Sequence, residues 1–255
     1  GGGGGGGGVG GYTVSSGNGG GAGYQGLVVV RYPTVSGVPA ADQTPYTIQT
    51  SNCQAWFDAS QFTANSSTWT DRINGYTMTA GSSNYSKTNG SYRISPTSGS
   101  VTFVGSNITA LNVGSGGITY ECWIYLGSTA YSGWRYIMGK STFWEANSSG
   151  IYINSTGTSI GFHTTATNGV EYALSSVGTG WKHIVGVRNP TTGRQLWVNG
   201  HLVASDRTID SISTTSVISF GCDQDRTYDE GTYQLGSCRF YSAALTADAV
   251  IRNYM

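Results

Sequence analysis

From about Tyr46 to the C-terminus, apolar and polar positions alternate in short runs broken by Gly, Asn and Ser, with hardly any helical periodicity. A period of two predicts strands that turn one face inward and one outward. In Ile118-Thr119-Tyr120-Glu121-Cys122-Trp123-Ile124-Tyr125, Tyr120, Cys122 and Ile124 share one face, and Glu121, Trp123 and Tyr125 share the other. Aromatic residues on both faces mark an inner strand. Ile151-Tyr152-Ile153 and Ser159 to His163 read as a hairpin across a Gly157 turn. In the next strand Trp181, His183, Val185 and Val187 line one face, and Lys182, Ile184, Gly186 and Arg188 the other. Asn199-Gly200, between Gln195-Leu196-Trp197-Val198 and His201-Leu202-Val203-Ala204, is the strongest hairpin signal, because both turn positions need positive φ. One helix is predicted, capped by Thr246 and running from Ala247 to about Asn253, with Val250 and Tyr254 on one side. The expected fold class is therefore all-β, an antiparallel jelly-roll β-sandwich with a short C-terminal helix.

The N-terminus follows another rule. Residues 1–26 hold 16 of the 40 glycines, beginning with an octet. One reading is a flexible linker, since polyglycine has maximal backbone entropy to lose and nothing to bury. The other is an ordered assembly of extended segments whose missing side chains let backbones approach and bond, which would require neighbouring copies. The tract closes in Leu27-Val28-Val29-Val30-Arg31-Tyr32-Pro33, a strand-like run. The expected organisation is a glycine-rich assembly segment at 1–33, a joint at 34–45 and a sandwich at 46–255.

Charge narrows the partners. Lys and Arg total 13, as do Asp and Glu, and no segment gathers positive charge, which argues against nucleic acid. No apolar run approaches the ~20 residues that span a bilayer, so membrane insertion is not expected. Charged residues are only 10% of the chain, while Ser and Thr supply about a quarter. A surface wetted by hydroxyls and amides fits extracellular, fibrous and virion proteins. Cys53, Cys122, Cys222 and Cys238 have no C-x-x-C spacing and are expected as buried free thiols, with Cys222–Cys238 as an alternative pairing across a hairpin.

These segments in this order resemble the concanavalin A-like or laminin-G-like sandwich found in many phage virion and bacterial surface proteins, over roughly residues 50–255. The opening is carried by Ala55-Trp56-Phe57-Asp58-Ala59-Ser60, Ser67-Thr68-Trp69-Thr70-Asp71, Tyr92-Arg93-Ile94 and Val101-Thr102-Phe103-Val104-Gly105. The middle is carried by Tyr120 to Tyr125, Trp181-Lys182-His183-Ile184-Val185 and Trp197-Val198-Asn199-Gly200. The close is carried by Leu235-Gly236, Arg239-Phe240-Tyr241-Ser242-Ala243-Ala244-Leu245-Thr246 and Ile251-Arg252-Asn253-Tyr254. The glycine-rich segment ending in Val-Val-Arg-Tyr-Pro is similar to one in tail-fibre and appendage proteins of tailed phages. Together they imply a non-enzymatic fibre or appendage subunit of a virion or an extracellular assembly. Its partners would be further copies of itself, other virion proteins and host surface glycans.

Candidate chemistry is sparse. Glucanases of the same superfamily carry Glu-x-Asp-x-Glu on one strand, and none of Glu121, Glu145, Glu171 or Glu230 has that neighbourhood. His163, His183 and His201 sit within strands, away from any Ser or Cys nucleophile motif, and are expected to be structural. The densest acidic stretch, Cys222 to Glu230, offers Asp223, Asp225, Asp229 and Glu230 as calcium ligands, with a solvated loop as the alternative. Asp58 and Asp71 are alternative calcium ligands by their place in the family-like opening, and loop capping explains them equally well. Loop aromatics Tyr131, Trp134 and Trp144, with Tyr228, are the candidates for stacking on sugar rings, against packing as the alternative. A calcium-assisted lectin-like module and a secreted glycan hydrolase are the competing functional readings.

Overall fold

The computed structural model describes residues 48–81, 85–88, 93–96, 102–141, 145–165, 169–224 and 233–255. The chain divides into two units, Gly1–Pro45 and Tyr46–Met255, and every described residue belongs to the second. The glycine tract, its closing strand and the joint thus lie outside the described residues.

Sixteen strands are described. They are β1 (Cys53–Asp58), β2 (Thr68–Thr70), β3 (Thr77–Ala80), β4 (Tyr85–Thr88), β5 (Arg93–Pro96), β6 (Phe103–Val104), β7 (Ile118–Leu126) and β8 (Arg135–Lys140). After them come β9 (Ser149–Ile153), β10 (Ser159–His163), β11 (Val170–Ala173), β12 (Gly180–Asn189), β13 (Gly193–Val198), β14 (His201–Ser205), β15 (Ile218–Phe220) and β16 (Gln234–Tyr241). They form two antiparallel sheets. The first runs β14-β13-β12-β7-β16-β5-β4 with β1 also on β16, and the second runs β11-β10-β9-β8-β15-β6-β3-β2. Strand β7 lies between β12 and β16, as its two aromatic faces predict.

The hairpin rules hold residue by residue. Asn199 and Gly200 have φ of 51° and 75°, and β13 pairs with β14 across them. Gly157, at φ 69°, turns β9 into β10. A Cβ at Gly157 would stand 1.8 Å from the Tyr131 carbonyl oxygen, so glycine is required there twice over.

The inward faces build one core. Tyr120, Cys122, Ile124, Ile151, Ile153, Ile160, Phe162 and Ile184 are all buried in it. At one end Phe57, Phe62, Trp69, Phe103 and Phe220 pack mainly edge to face, with Phe57 and Trp69 centroids 5.5 Å apart. Such pairs add about 0.5–1.5 kcal/mol each beyond their area burial. Gly186 belongs to this inner face, because a Cβ there would meet the Phe162 ring at 2.2 Å.

The outward face of the first sheet carries a second, smaller cluster. Val185, Val187, Trp197 and Tyr241 are covered by Leu245, Ala249 and Val250. The last two come from helix α2 (Ala247–Tyr254), whose N-cap Thr246 accepts the Ala249 amide at 3.2 Å, as expected. A one-turn helix, α1 (Leu174–Val177), has no counterpart in the sequence reading and buries Leu174 and Val177. Its four residues are too few to show periodicity. All four cysteines are buried and free, and Cys238 stands opposite Cys122 rather than Cys222.

Candidate functional site

Strand alternation places Glu121, Trp123 and Tyr125 of β7 and Trp181 and His183 of β12 on the outer face of the first sheet, side by side in register. What happens to them depends on how far α2 extends. Under the helix lies a buried polar network. Glu121 is 1% exposed and accepts hydrogen bonds from Arg239 at 2.6 Å, His183 Nε2 at 2.8 Å and Asn253 Nδ2 at 2.9 Å. The Tyr241 hydroxyl stands 2.9 Å from its second oxygen. Burial works against the Glu121 charge, but Arg239 and then the His183 and Tyr241 hydrogen bonds outweigh it and hold the carboxyl down at about 2. His183 is thus structural, as expected, while His201 is exposed at the start of β14.

At the helix end the same face opens. Trp123 stacks on Tyr254 at 5.8 Å and lies tilted against His183 at 5.1 Å. Trp181 meets Tyr125 edge to face at 5.9 Å. The two half-buried indoles, with Gly236, Ser237 and Asp58, line a groove of about 220 Å³. Gly236 lets the Trp181 ring lie on the strand, since a Cβ would stand 3.0 and 3.1 Å from two of its ring carbons.

The polar wall of the groove is built across one strand pair. Asp58 of β1 and Ser237 of β16 are directly opposed. Asp58 Oδ1 accepts the Ser60 amide at 2.9 Å, and Oδ2 accepts Arg72 at 2.6 Å. Ser237 Oγ accepts Trp56 Nε1 at 2.9 Å. The guanidiniums of Arg72 and Arg239 lie over the Trp56 ring, 4.4 and 4.6 Å from its centroid. A mostly apolar aromatic concavity with a few placed polar groups is the usual form of a small-ligand site.

Of the residues singled out from the sequence, Asp58 lines the groove, while Tyr131, Trp134 and Asp223 do not. Tyr131 is half-buried against the main core, and its backbone amide donates to the Gly157 carbonyl at 2.9 Å. Trp134 is half-buried and tilted over Tyr152 of β9, with centroids 5.6 Å apart. Neither lines the groove. Asp223 is 2% exposed, at the foot of the acidic loop. Trp144, Asp225, Tyr228, Asp229 and Glu230 lie outside the described residues. Among the described residues, no three His, Cys, Asp or Glu side chains gather as a metal site. Asp71 caps its loop, with Oδ1 accepting the Ile73 and Asn74 amides at 2.7 and 3.2 Å and Oδ2 the Tyr76 amide at 2.6 Å. Asp58 likewise is held by the Ser60 amide and Arg72, the loop-capping role given as its alternative.

A second polar cluster ties loops to the second sheet. The buried Lys140 ammonium donates to Asn112 Oδ1 at 2.7 Å and to the Thr214 carbonyl, and Glu145 accepts from Thr214 Oγ1 at 2.5 Å and from Ser216 Oγ. Burial lowers the Lys140 pKa to about 8, with Glu145 acting in the opposite sense. Its hydrogen bonds run between groups of the fold itself.

The groove residues were legible in part. Trp123 and Trp181 lie on the face opposite Cys122, Ile124 and Ile184, and parity groups them there without saying which face is outward. The sequence reading placed them on those faces and then looked to the loops for ligand contacts.

Comparison with known proteins agrees with the architecture. Residues 96–251 match the family model described as the concanavalin A-like lectin/glucanases superfamily. No curated protein sequence matches the chain. Among solved structures, Trypanosoma rangeli sialidase in complex with sialic acid is similar at TM-score 0.59 and 11% identity, over 81% of this chain and 33% of that one. The receptor-binding domain of botulinum neurotoxin C/D mosaic serotype is similar at TM-score 0.61 and 14% identity, over 81% of this chain and 51% of that one. The binding domain of botulinum neurotoxin serotype D has TM-score 0.60 and 14% identity, over 80% and 51%. This chain therefore spans about a third of the sialidases and half of the toxin chains. The sialidases overturn one expectation. The chain was read as non-enzymatic, and its fold recurs in chains that are enzymes, including a mutant displaying trans-sialidase activity. The physical reason is that a sandwich is a scaffold shared by catalysts and binding modules, so architecture and a missing motif do not decide against catalysis. At 11–14% identity the likeness shows the fold alone.

Proposed function

The chain belongs to the concanavalin A-like lectin/glucanases superfamily, and we propose that its sandwich is a glycan-attachment module carried on a phage-like virion or a comparable extracellular assembly. The observation that carries this reading is the groove on the outer face of the first sheet, with two half-buried tryptophans beside a carboxylate and a hydroxyl. A pyranose ring has one face of C–H groups and an edge of hydroxyls. The indoles suit the face, and Asp58 and Ser237 suit the edge. A groove this small gives modest affinity per copy. Repetition on a particle multiplies it, and the glycine-rich tract at residues 1–26 supports that reading as an assembly segment.

The test is capture of the full chain, displayed multivalently, on a broad glycan array and on host cells. Trp181→Ala is expected to lower capture at least tenfold without loss of the folded near-UV spectrum, because Trp181 is half-buried at the rim rather than part of the core. Capture unchanged by both Trp181→Ala and Trp123→Ala would remove the groove from the function. Size-exclusion chromatography with light scattering, on the full chain and on a chain lacking residues 1–33, tests the assembly role. A monomer in both cases would refute it.

A further inference from the structure

We propose that the groove selects an uncharged pyranose edge and turns away acidic sugars such as sialic acid; this rests on the glycan-attachment reading of the same groove. The argument begins with valence. Both Asp58 oxygens already hold one donor each, Ser60 N on Oδ1 and Arg72 on Oδ2, so the carboxylate meets a ligand with its remaining lone pairs and can only accept. Ser237 Oγ accepts Trp56 Nε1 on one of its two lone pairs, and its hydroxyl proton is left to donate.

The two groups face each other across β1 and β16, a separation of roughly 4.5–5.5 Å between Cβ atoms. The groove thus asks for one group that donates and a neighbour that accepts. Adjacent sugar hydroxyls do both. A ligand carboxylate cannot donate to Asp58 and brings a like charge to the one charged side chain that lines the groove among the described residues. The Arg72 ion pair offsets part of the Asp58 charge, and the donor count still stands against a ligand carboxylate. Arg72 is paired with Asp58 and lies over Trp56, and Arg239 is paired with Glu121 and lies over the same ring. Neither lines the groove.

The experiment uses the full chain on multivalent beads against two sets of immobilised probes at equal density. One set holds neutral saccharides (methyl mannoside, methyl galactoside and lactose conjugates), and the other holds 3′- and 6′-sialyllactose. The expected result is capture by at least one neutral probe, with the sialylated set at least tenfold weaker. Ser237→Ala should weaken neutral capture severalfold, and Asp58→Asn should narrow the gap between the sets. A second measurement needs no variant. Raising salt from 0.1 to 1 M shortens the Debye length from ~10 to ~3 Å, and should narrow the same gap on the wild-type chain. Preference for the sialylated set would overturn the inference, as would a gap that neither Asp58→Asn nor salt changes, and either leaves glycan attachment standing. Capture of neither set, nor of any other glycan on a broad array, would overturn the attachment reading itself.

Discussion

Replacing Glu121 by Gln removes one charge and almost no volume from a site that is 1% exposed. Arg239 and His183 would then face a neutral amide inside a packed layer, under a helix tied down by Asn253. Removing one partner of a buried ion pair costs about 3–5 kcal/mol, because the other charge is left uncompensated. The depressed carboxyl pKa gives a second figure. Folding holds the Glu121 carboxyl at about 2 instead of 4.5, and at ~1.4 kcal/mol per tenfold that contributes roughly 3 kcal/mol at neutral pH. A depressed folded-state pKa means this stability is fully present above about pH 4.5 and drains away as pH falls toward 2. Urea unfolding followed by tryptophan fluorescence, for wild type and Glu121→Gln at pH 7 and at several points down to pH 3, measures both quantities. The variant should be about 3 kcal/mol less stable at pH 7, a fall of roughly 6–12 °C in Tm for a unit of this size. Its stability should also lose the corresponding part of its acid dependence. A variant within ~1 kcal/mol of wild type at pH 7, with an unchanged pH profile, would refute the reasoning that this network clamps α2 to the sheet.

Two further outcomes follow from local geometry. Thr246→Ala deletes the acceptor of the Ala249 amide and should cost about 1 kcal/mol in the same urea assay, since the rest of α2 keeps its packing. The four thiols are buried, and burial pushes Cys53 up to about 12. Ellman's reagent should therefore leave the native chain unlabelled over minutes and titrate all four thiols in guanidinium, whereas a fast native thiol would contradict the packing.

The rules that worked from sequence are those whose causes lie within a few residues. Positive φ at Asn199-Gly200 and Gly157, the Thr246 cap and the parity of Tyr120 to Tyr125 depend on backbone sterics and on a period of two, and each appears where the pattern puts it. Helix α1 was missed because a single turn carries no period.

The groove obeys a different logic. Asp58, Trp123, Trp181 and Ser237 are spread over most of the sandwich sequence, and strand order alone brings them together. Parity told which neighbours share a face with Trp123 and with Trp181. It did not tell that β12 would pair with β7 in the register that sets them near each other, that β1 would add to β16 so that Asp58 opposes Ser237, or that α2 would reach Trp123 with its last residue, Tyr254. By itself the sequence determined the all-β class, the hairpins, the C-terminal helix and which residues of β7 and of β12 share a face, because local sterics and a period of two decide them. Tertiary structure alone decided which outward residues became a covered polar network at Glu121 and which an open aromatic groove at Trp181. That choice rests on long-range pairing and on the reach of one short helix, neither of which leaves a mark on neighbouring positions in the chain.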